Sequence, residues 1–178
     1  MRNRLYRLVS LIIIGVIVLA LTGLATAQEP DMTTPLELDD APLELEFSIG
    51  AAGPPTIEPL SDGRVVFKIN AEGPVTGALE GTMRSAITEV NPDPPVYQGI
   101  GITFTIETEN GMLEGFYSGT IYHPTDAPIA TVSGHGQILS VSGAYADLFL
   151  ADVLVSSEVQ FEDGRSTGES GTLTITPR

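Results

Sequence analysis

The sequence predicts an all-β fold, a single antiparallel β-barrel of about eight strands covering residues 43–178. Three observations predict it. Apolar and polar residues alternate with a period of two from Leu43 onward, the pattern of strands with one buried face. No stretch beyond residue 42 sustains the 3.6-residue apolar repeat of a helix, so nothing is available to cover an open sheet. Finally, Gly77, Gly81, Gly99, Gly101, Gly115, Gly119, Gly134 and Gly136 fall inside strand patterns. Glycine there weakens a flat sheet but permits the bends and bulges by which a small barrel closes.

Ahead of this domain, residues 1–27 read as a signal peptide helix. Arg2, Arg4 and Arg7 precede an apolar run of 17 residues, Leu8 to Leu24, and Ala25-Thr26-Ala27 offers a small-residue cleavage site. A usual signal core has roughly 7–15 apolar residues and a spanning helix about 20. The run lies between the two, which leaves open cleavage after Ala27 or retention as an uncleaved anchor. Both readings put the domain outside the cytoplasm, secreted into a periplasm or medium, because the arginines hold the N-terminus inside. Residues 28–42 carry Pro30, Pro35 and Pro42 among acids and read as a disordered acidic tether. The chain has no cysteine. That excludes a lipoprotein anchor, disulfides and thiolate metal sites, and suits a bacterial exported protein.

Past Ala27 the chain keeps five basic residues, Arg64, Lys68, Arg84, Arg165 and Arg178, against all 23 acids, a balance of −18. Nucleic acid and anionic lipid are poor partners for such a surface. Any membrane contact would run through an uncleaved N-terminal segment alone. The acids are scattered and no D-x-[DN]-x-[DN]-G loop occurs, so no calcium site is indicated.

The elements follow in order. Leu43 to Ile49 alternates without a break and predicts the first strand; Gly50 to Gly63 is a Pro/Gly loop. Val65, Phe67 and Ile69 share a face opposite Arg64, Lys68 and Asn70. After Glu72-Gly73-Pro74, a strand over Val75–Val90 turns Val75, Leu79 and Met83 one way, and Asn91 to Pro95 ends it. Ile102, Phe104 and Ile106 lead to Asn110-Gly111, a hairpin signal, and the return strand Met112–His123 brings Leu113, Tyr117 and Ile121 onto one face. Further strands are predicted over Pro128–Val141, Leu148–Gln160 and Gly171–Thr176.

The segment Gly134-His135-Gly136-Gln137-Ile138-Leu139-Ser140-Val141-Ser142-Gly143-Ala144-Tyr145-Ala146-Asp147 resembles the allene oxide cyclase/dirigent-like barrel family. The likeness centres on residues 131–149, with Ser142-Gly143 and Tyr145 standing for a Thr-Gly and an aromatic of the family's turn. Val75 to Thr82 and Gly171 to Ile175 also look like its outer pattern. Ser140-Val141 departs from the paired glycines expected there, and Asp147 from the glycine after the aromatic. The resemblance implies an eight-stranded, calycin-like barrel. It also implies chemistry such as cyclisation in an apolar cavity, without metal or organic cofactor. No catalytic residue of the family is carried over.

The inventory for catalysis is small, with two histidines. His135 lies between two glycines on the face of Thr131, Ser133 and Gln137; it reads either as a polar group in the barrel cavity or as an exposed strand histidine. His123, before Pro124, reads as a loop residue. No H-x-H or H-E-x-x-H spacing exists, so no metal site is indicated. Val132-Ser133-Gly134-His135-Gly136 lacks the first glycine and the helix of a nucleophile elbow. Glu80, Glu107, Glu109 and Glu114 fall on polar strand faces. Asp152 interrupts the apolar run Leu148–Val155 and is the acid expected inside the barrel if that strand is buried on both faces. Phe104, Tyr117, His135, Tyr145 and Phe149 are candidate ligand-lining residues.

Three functions remain open. The first is an exported, non-catalytic barrel binding a small apolar ligand or a partner surface. The second is a cofactor-free cyclase or isomerase using His135 or Asp152 as its acid–base group. The third is a structural envelope module. A hollow or a filled interior distinguishes them.

Overall fold

The computed structural model of the protein describes residues 41–91, 96–125, 127–163 and 165–178. The signal segment, the tether to residue 40 and the break at residues 92–95 lie outside the described residues. Nine strands form among those described: β1 (Leu43–Ala51), β2 (Thr56–Pro59), β3 (Val65–Gly77), β4 (Gly81–Asn91), β5 (Val96–Thr108), β6 (Gly111–Tyr122), β7 (Ile129–Gly143), β8 (Asp152–Glu162) and β9 (Arg165–Thr176). A 3-10 turn, η1 (Ala146–Leu148), is the one helical element among them. No helix of the described residues is long and apolar enough to cross a membrane.

From β3 to β9 each strand pairs antiparallel with the next, and β1 closes the ring by pairing with both β9 and β3. The fold is a closed barrel of eight antiparallel strands, β1 and β3–β9, with β2 added beside the first part of β3. Paired residues run round the wall from Glu89 through Gly99, Gly119, Gly134, Val155, Leu173 and Leu45 to Gly77 on β3. Glu89 also pairs directly with Phe67, so one circuit climbs β3 from residue 67 to residue 77. Such a stagger goes with strands tilted roughly 35–45° and an interior just wide enough for packed side chains or one small ligand.

Alternation decides what fills that interior. Leu45, Phe47, Val75, Met83, Phe104, Ile106, Leu113, Ile138, Val153, Leu173 and Ile175 all point inward and pack one end. Each such burial is worth roughly 1.5–3 kcal/mol, which lets a chain without disulfides hold together. Beyond β7 the backbone turns at Gly143 (φ 67°) and folds back over this end, setting Tyr145 and Leu148 into the core as a plug. Thr108 Oγ1 donates its one proton to the Gly111 carbonyl at 3.1 Å, so the Tyr145 hydroxyl, 2.6 Å away, donates to Thr108. Near the opposite end a smaller cluster gathers Ile121, Ala130, Val132 and Val159 with Phe161 packed against it.

Several elements differ from the sequence expectation. β3 continues through Glu72-Gly73-Pro74, where a break was expected. Proline lacks an N–H, and the β1–β3 ladder passes over it: Phe47 pairs with Val75, and the next pair is Gly50 with Glu72. The turn comes after Gly77 (φ 105°), so the strand expected over Val75–Val90 is divided between β3 and β4. The expected loop at residues 50–63 contains β2. In the β5–β6 hairpin Glu109 and Asn110 form the turn and only Gly111 takes positive φ, so Asn110-Gly111 does not occupy both central positions. Leu148 to Ala151 is not strand: η1 ends there and Leu150 sits at φ 64°, a left-handed conformation no strand contains. β9 begins at Arg165 rather than Gly171.

Candidate functional site

Where β4 finishes and β9 begins, the inward rows change character. β4 turns Met83, Ser85, Ile87 and Glu89 inward in succession, β8 turns Val155, Ser157 and Val159, and β9 turns Glu169, Gly171 and Leu173. β6 adds Tyr117, Gly119 and Ile121. A strand that buries Met83 and Ile87 on one face must carry Ser85 and Glu89 on that face too. The irregularity in this part of the wall lies on β5 between Gly99 and Ile102, where both of its ladders slip by one residue and Gly101 takes φ 137°.

Missing side chains make room for two aromatic rings here. A Cβ on Gly134 would lie 2.9 Å from Tyr117 Cδ2, and one on Gly115 would lie 2.6 Å from Phe104 Cζ. Those two glycines are the space the rings occupy, a role beyond the bends and bulges the sequence suggested. The rings lean on each other with centroids 6.2 Å apart. Tyr117 is 1 % exposed. Ser85, 4 % exposed, has an Oγ without a partner, the one such buried side-chain atom among the described residues. Buried polar groups are nearly always paired, and the exceptions concentrate where something else binds.

The two carboxylates are partly buried. Burial, and then the charge of Glu169, push the Glu89 carboxyl up to about 7. Burial also raises Glu169, opposed by the Ser157 hydroxyl, which donates to Oε1 at 2.6 Å. The Tyr117 phenol is driven above its usual range by burial, then by the charges of Glu169 and Glu89. Each group therefore feels the others across the interior. No cation whose side chain is described neutralises them: Arg64 pairs with Asp62, Lys68 with Glu58, Arg84 with Glu72 and Glu107, and Arg178 with Asp152, all on the outside. With its carboxyl pushed up to about 7, Glu89 exchanges a proton near neutral pH, a property suited to meeting a cation or passing a proton to a guest.

Of the residues singled out from sequence, Phe104, Tyr117 and Tyr145 are interior. Phe104 and Tyr117 reach this section, while Tyr145 belongs to the plug at the far end. His135 is exposed on the outer wall of β7, since Val132 and Ile138 take the inward positions. Asp152 is exposed as well. β8 is not buried on both faces, and Asp152 accepts from Arg178 Nη2 at 2.6 Å, which holds its carboxyl below the ordinary range. Phe149 is 54 % exposed beside η1. His123, in the β6–β7 connection, donates from Nε2 to the Ala127 carbonyl (2.7 Å) and stacks on Phe161.

Glu89, Glu169, Ser85 and Ser157 were not among the sequence candidates. Extending the period of two from Met83 places Ser85 and Glu89 inside. Extending it back from Leu173 does the same for Glu169, but only if β9 starts before Gly171.

The outer wall of β3, β1, β9 and β8 carries a groove of about 550 Å³ lined mainly by solvated residues such as Glu46, Ser48, Thr76, Ser156 and Thr172. Its carboxylates are the exposed Glu46 and Glu158, and at its floor it reaches Phe47, Ser157 and Gly171 of the inward rows. No group of three or more metal-ligating side chains occurs among the described residues. The chain matches no protein-family model, no curated protein and no solved structure.

Proposed function

We propose that the protein is an exported, non-catalytic β-barrel that binds one small ligand inside the end bounded by Glu89 and Glu169. The change of lining along one interior carries this reading. A packed apolar end gives way to two partly buried carboxylates and the buried Ser85 hydroxyl, which has no partner. A purely structural module gains nothing from such a section, because buried acids without counter-charges cost stability. Groups of that kind cluster at functional sites. Export rests on the signal-like residues 1–27, and kinship with allene oxide cyclase/dirigent-like barrels on the likeness within residues 131–149. The lining also revises the purely apolar ligand expected from sequence, since such a guest would leave both acids unmatched.

Native mass spectrometry of the full chain, exported by and purified from its producing host, tests the reading. The expected result is one small molecule per chain, released on denaturation. A bare chain, together with no calorimetric binding across a chemically diverse set of small molecules, overturns it.

A second reading, a cofactor-free isomerase or cyclase in the same cavity, is favoured by the Glu89 carboxyl exchanging its proton at about 7 beside a second acid. On that reading the acid–base pair is Glu89 and Glu169 rather than His135 or Asp152. Turnover of a bound ligand, abolished by Glu89→Gln with binding retained, separates it from the first.

A further inference from the structure

We propose that the ligand of this cavity is a small organic monocation, an alkyl- or arylalkylammonium, whose nitrogen sits between Glu89 and Glu169 and whose hydrocarbon part lies along Tyr117 and the apolar wall. This rests on the small-ligand reading above and names its chemical class.

Charge is the first argument. Two carboxylates face one interior, and every cation described elsewhere is engaged on the outer surface. A guest bearing positive charge removes the repulsion between the acids, whereas an anion adds to it and a neutral guest leaves it in place.

Hydrogen-bond supply is the second. An ammonium group donates up to three hydrogen bonds and accepts none. Glu169 Oε1 already accepts from Ser157, leaving its other oxygen and both oxygens of Glu89 as acceptors. The Ser85 hydroxyl is buried without a partner on the same inward row as Glu89, and the Tyr117 ring faces the same interior. Among the described side chains acceptors outnumber donors in this section, which matches a donor-only guest.

Coordination and shape complete it. A calcium ion would need about six to eight oxygen ligands, and two carboxylates with two hydroxyls fall short of that in a wall otherwise built of Ile49, Ala71, Ile87, Ile102 and Val132. The apolar wall and the Tyr117 ring suit a hydrocarbon tail, with a cation also attracted to a ring face. Among the side chains described, the titratable groups facing Glu89 inside the barrel are Glu169 and Tyr117. A cation favours the ionised pair, so binding expels a proton and tightens as pH rises through about 7.

The experiment is calorimetric titration of the full chain with 2-phenylethylammonium and with its neutral counterpart 2-phenylethanol, at pH 6 and pH 8. The expected result is binding of the amine at least about tenfold tighter than the alcohol, tighter at pH 8, with proton release at pH 6 read from two buffers of different ionisation enthalpy. Glu89→Gln and Glu169→Gln each weaken the amine about tenfold and leave the alcohol unchanged. Glu107→Gln on the outer wall leaves both unchanged, which separates the cavity from the acidic surface. Both interior variants keep the side-chain shape and fold, as a thermal melt verifies. Equal affinity for amine and alcohol, amine binding insensitive to the two interior variants, or displacement of the amine by calcium overturns the cation assignment. If neither probe binds, it is also overturned. In each of these cases a small molecule seen by native mass spectrometry leaves the small-ligand reading standing, and a bare chain removes both.

Discussion

Ser157 Oγ donates to Glu169 Oε1 at 2.6 Å, and this is the single hydrogen bond made to either interior carboxylate among the described residues. Ser157 is 5 % exposed, so the bond is shielded and favours the ionised form of Glu169. Ser157→Ala removes it without crowding. The expected outcome is a loss of about 1–2 kcal/mol in urea denaturation at pH 8, shrinking at pH 5 where the carboxyl is protonated more often.

The raised Glu89 carboxyl predicts stability that falls as pH rises from 5 to 8. The Glu89 carboxyl titrates near 7 in the folded protein against an ordinary 4.5, so the folded state binds the extra proton between those values. Its contribution is complete below about 4.5 and is lost as pH climbs through 7, with an upper bound of roughly 3 kcal/mol. Denaturation midpoints measured from pH 5 to pH 8 should decline. Glu89→Gln should flatten that slope and raise the midpoint at pH 8; an unchanged slope contradicts the buried acid.

Tyr117 depends on the bare backbone beside it. Gly134→Ala sets a Cβ 2.9 Å from Tyr117 Cδ2 and forces the ring aside. Gly115→Ala meets both Phe104 Cζ at 2.6 Å and the Gln137 carbonyl at 2.7 Å, and backbone cannot step away as a ring can. Losses of about 1–3 kcal/mol are expected, larger for Gly115, with altered tyrosine fluorescence in Gly134→Ala.

At the plugged end, Tyr145→Phe deletes the hydroxyl that donates to Thr108 while keeping the ring. About 1 kcal/mol is the expected cost, visible as a lower melting midpoint with ligand affinity unchanged.

On the outside, His135→Ala and Asp152→Asn should leave the melt and the ligand affinity essentially as they are. Asp152 and Arg178 form an exposed pair, and such pairs contribute little. A large loss of binding in either variant would move the site to the outer wall.

The barrel was legible because alternation is a property of the chain itself: Leu45, Phe47 and Ile49, or Leu113, Tyr117 and Ile121, announce a buried face without reference to any neighbour. The site was less so. Asp152 drew attention as an acid in an apolar stretch, yet that stretch joined two elements, and the turn at Leu148–Ala151 resets which side faces in. Glu89 and Glu169 stand at strand ends, where assigning a face depends on where the strand starts and whether a bulge intervenes. Pro74 misled in the opposite way. Proline ends a strand only where its missing N–H is needed, and here the partner ladder skips that position.

The ring closes through β1, whose Leu45 pairs with Gly77 on one side and with Leu173, near the end of the chain, on the other. During synthesis β1 therefore emerges first and waits for its second neighbour until β9 has emerged. Until then the edges of β1 and of the growing β8 stay open, and contacts so distant in sequence form slowly. On the export proposed above, the chain meets this delay after crossing the membrane rather than before. Its strong negative charge then keeps neighbouring unfinished barrels from sharing strands. In that sense the acidity of the surface guards assembly as well as the finished molecule.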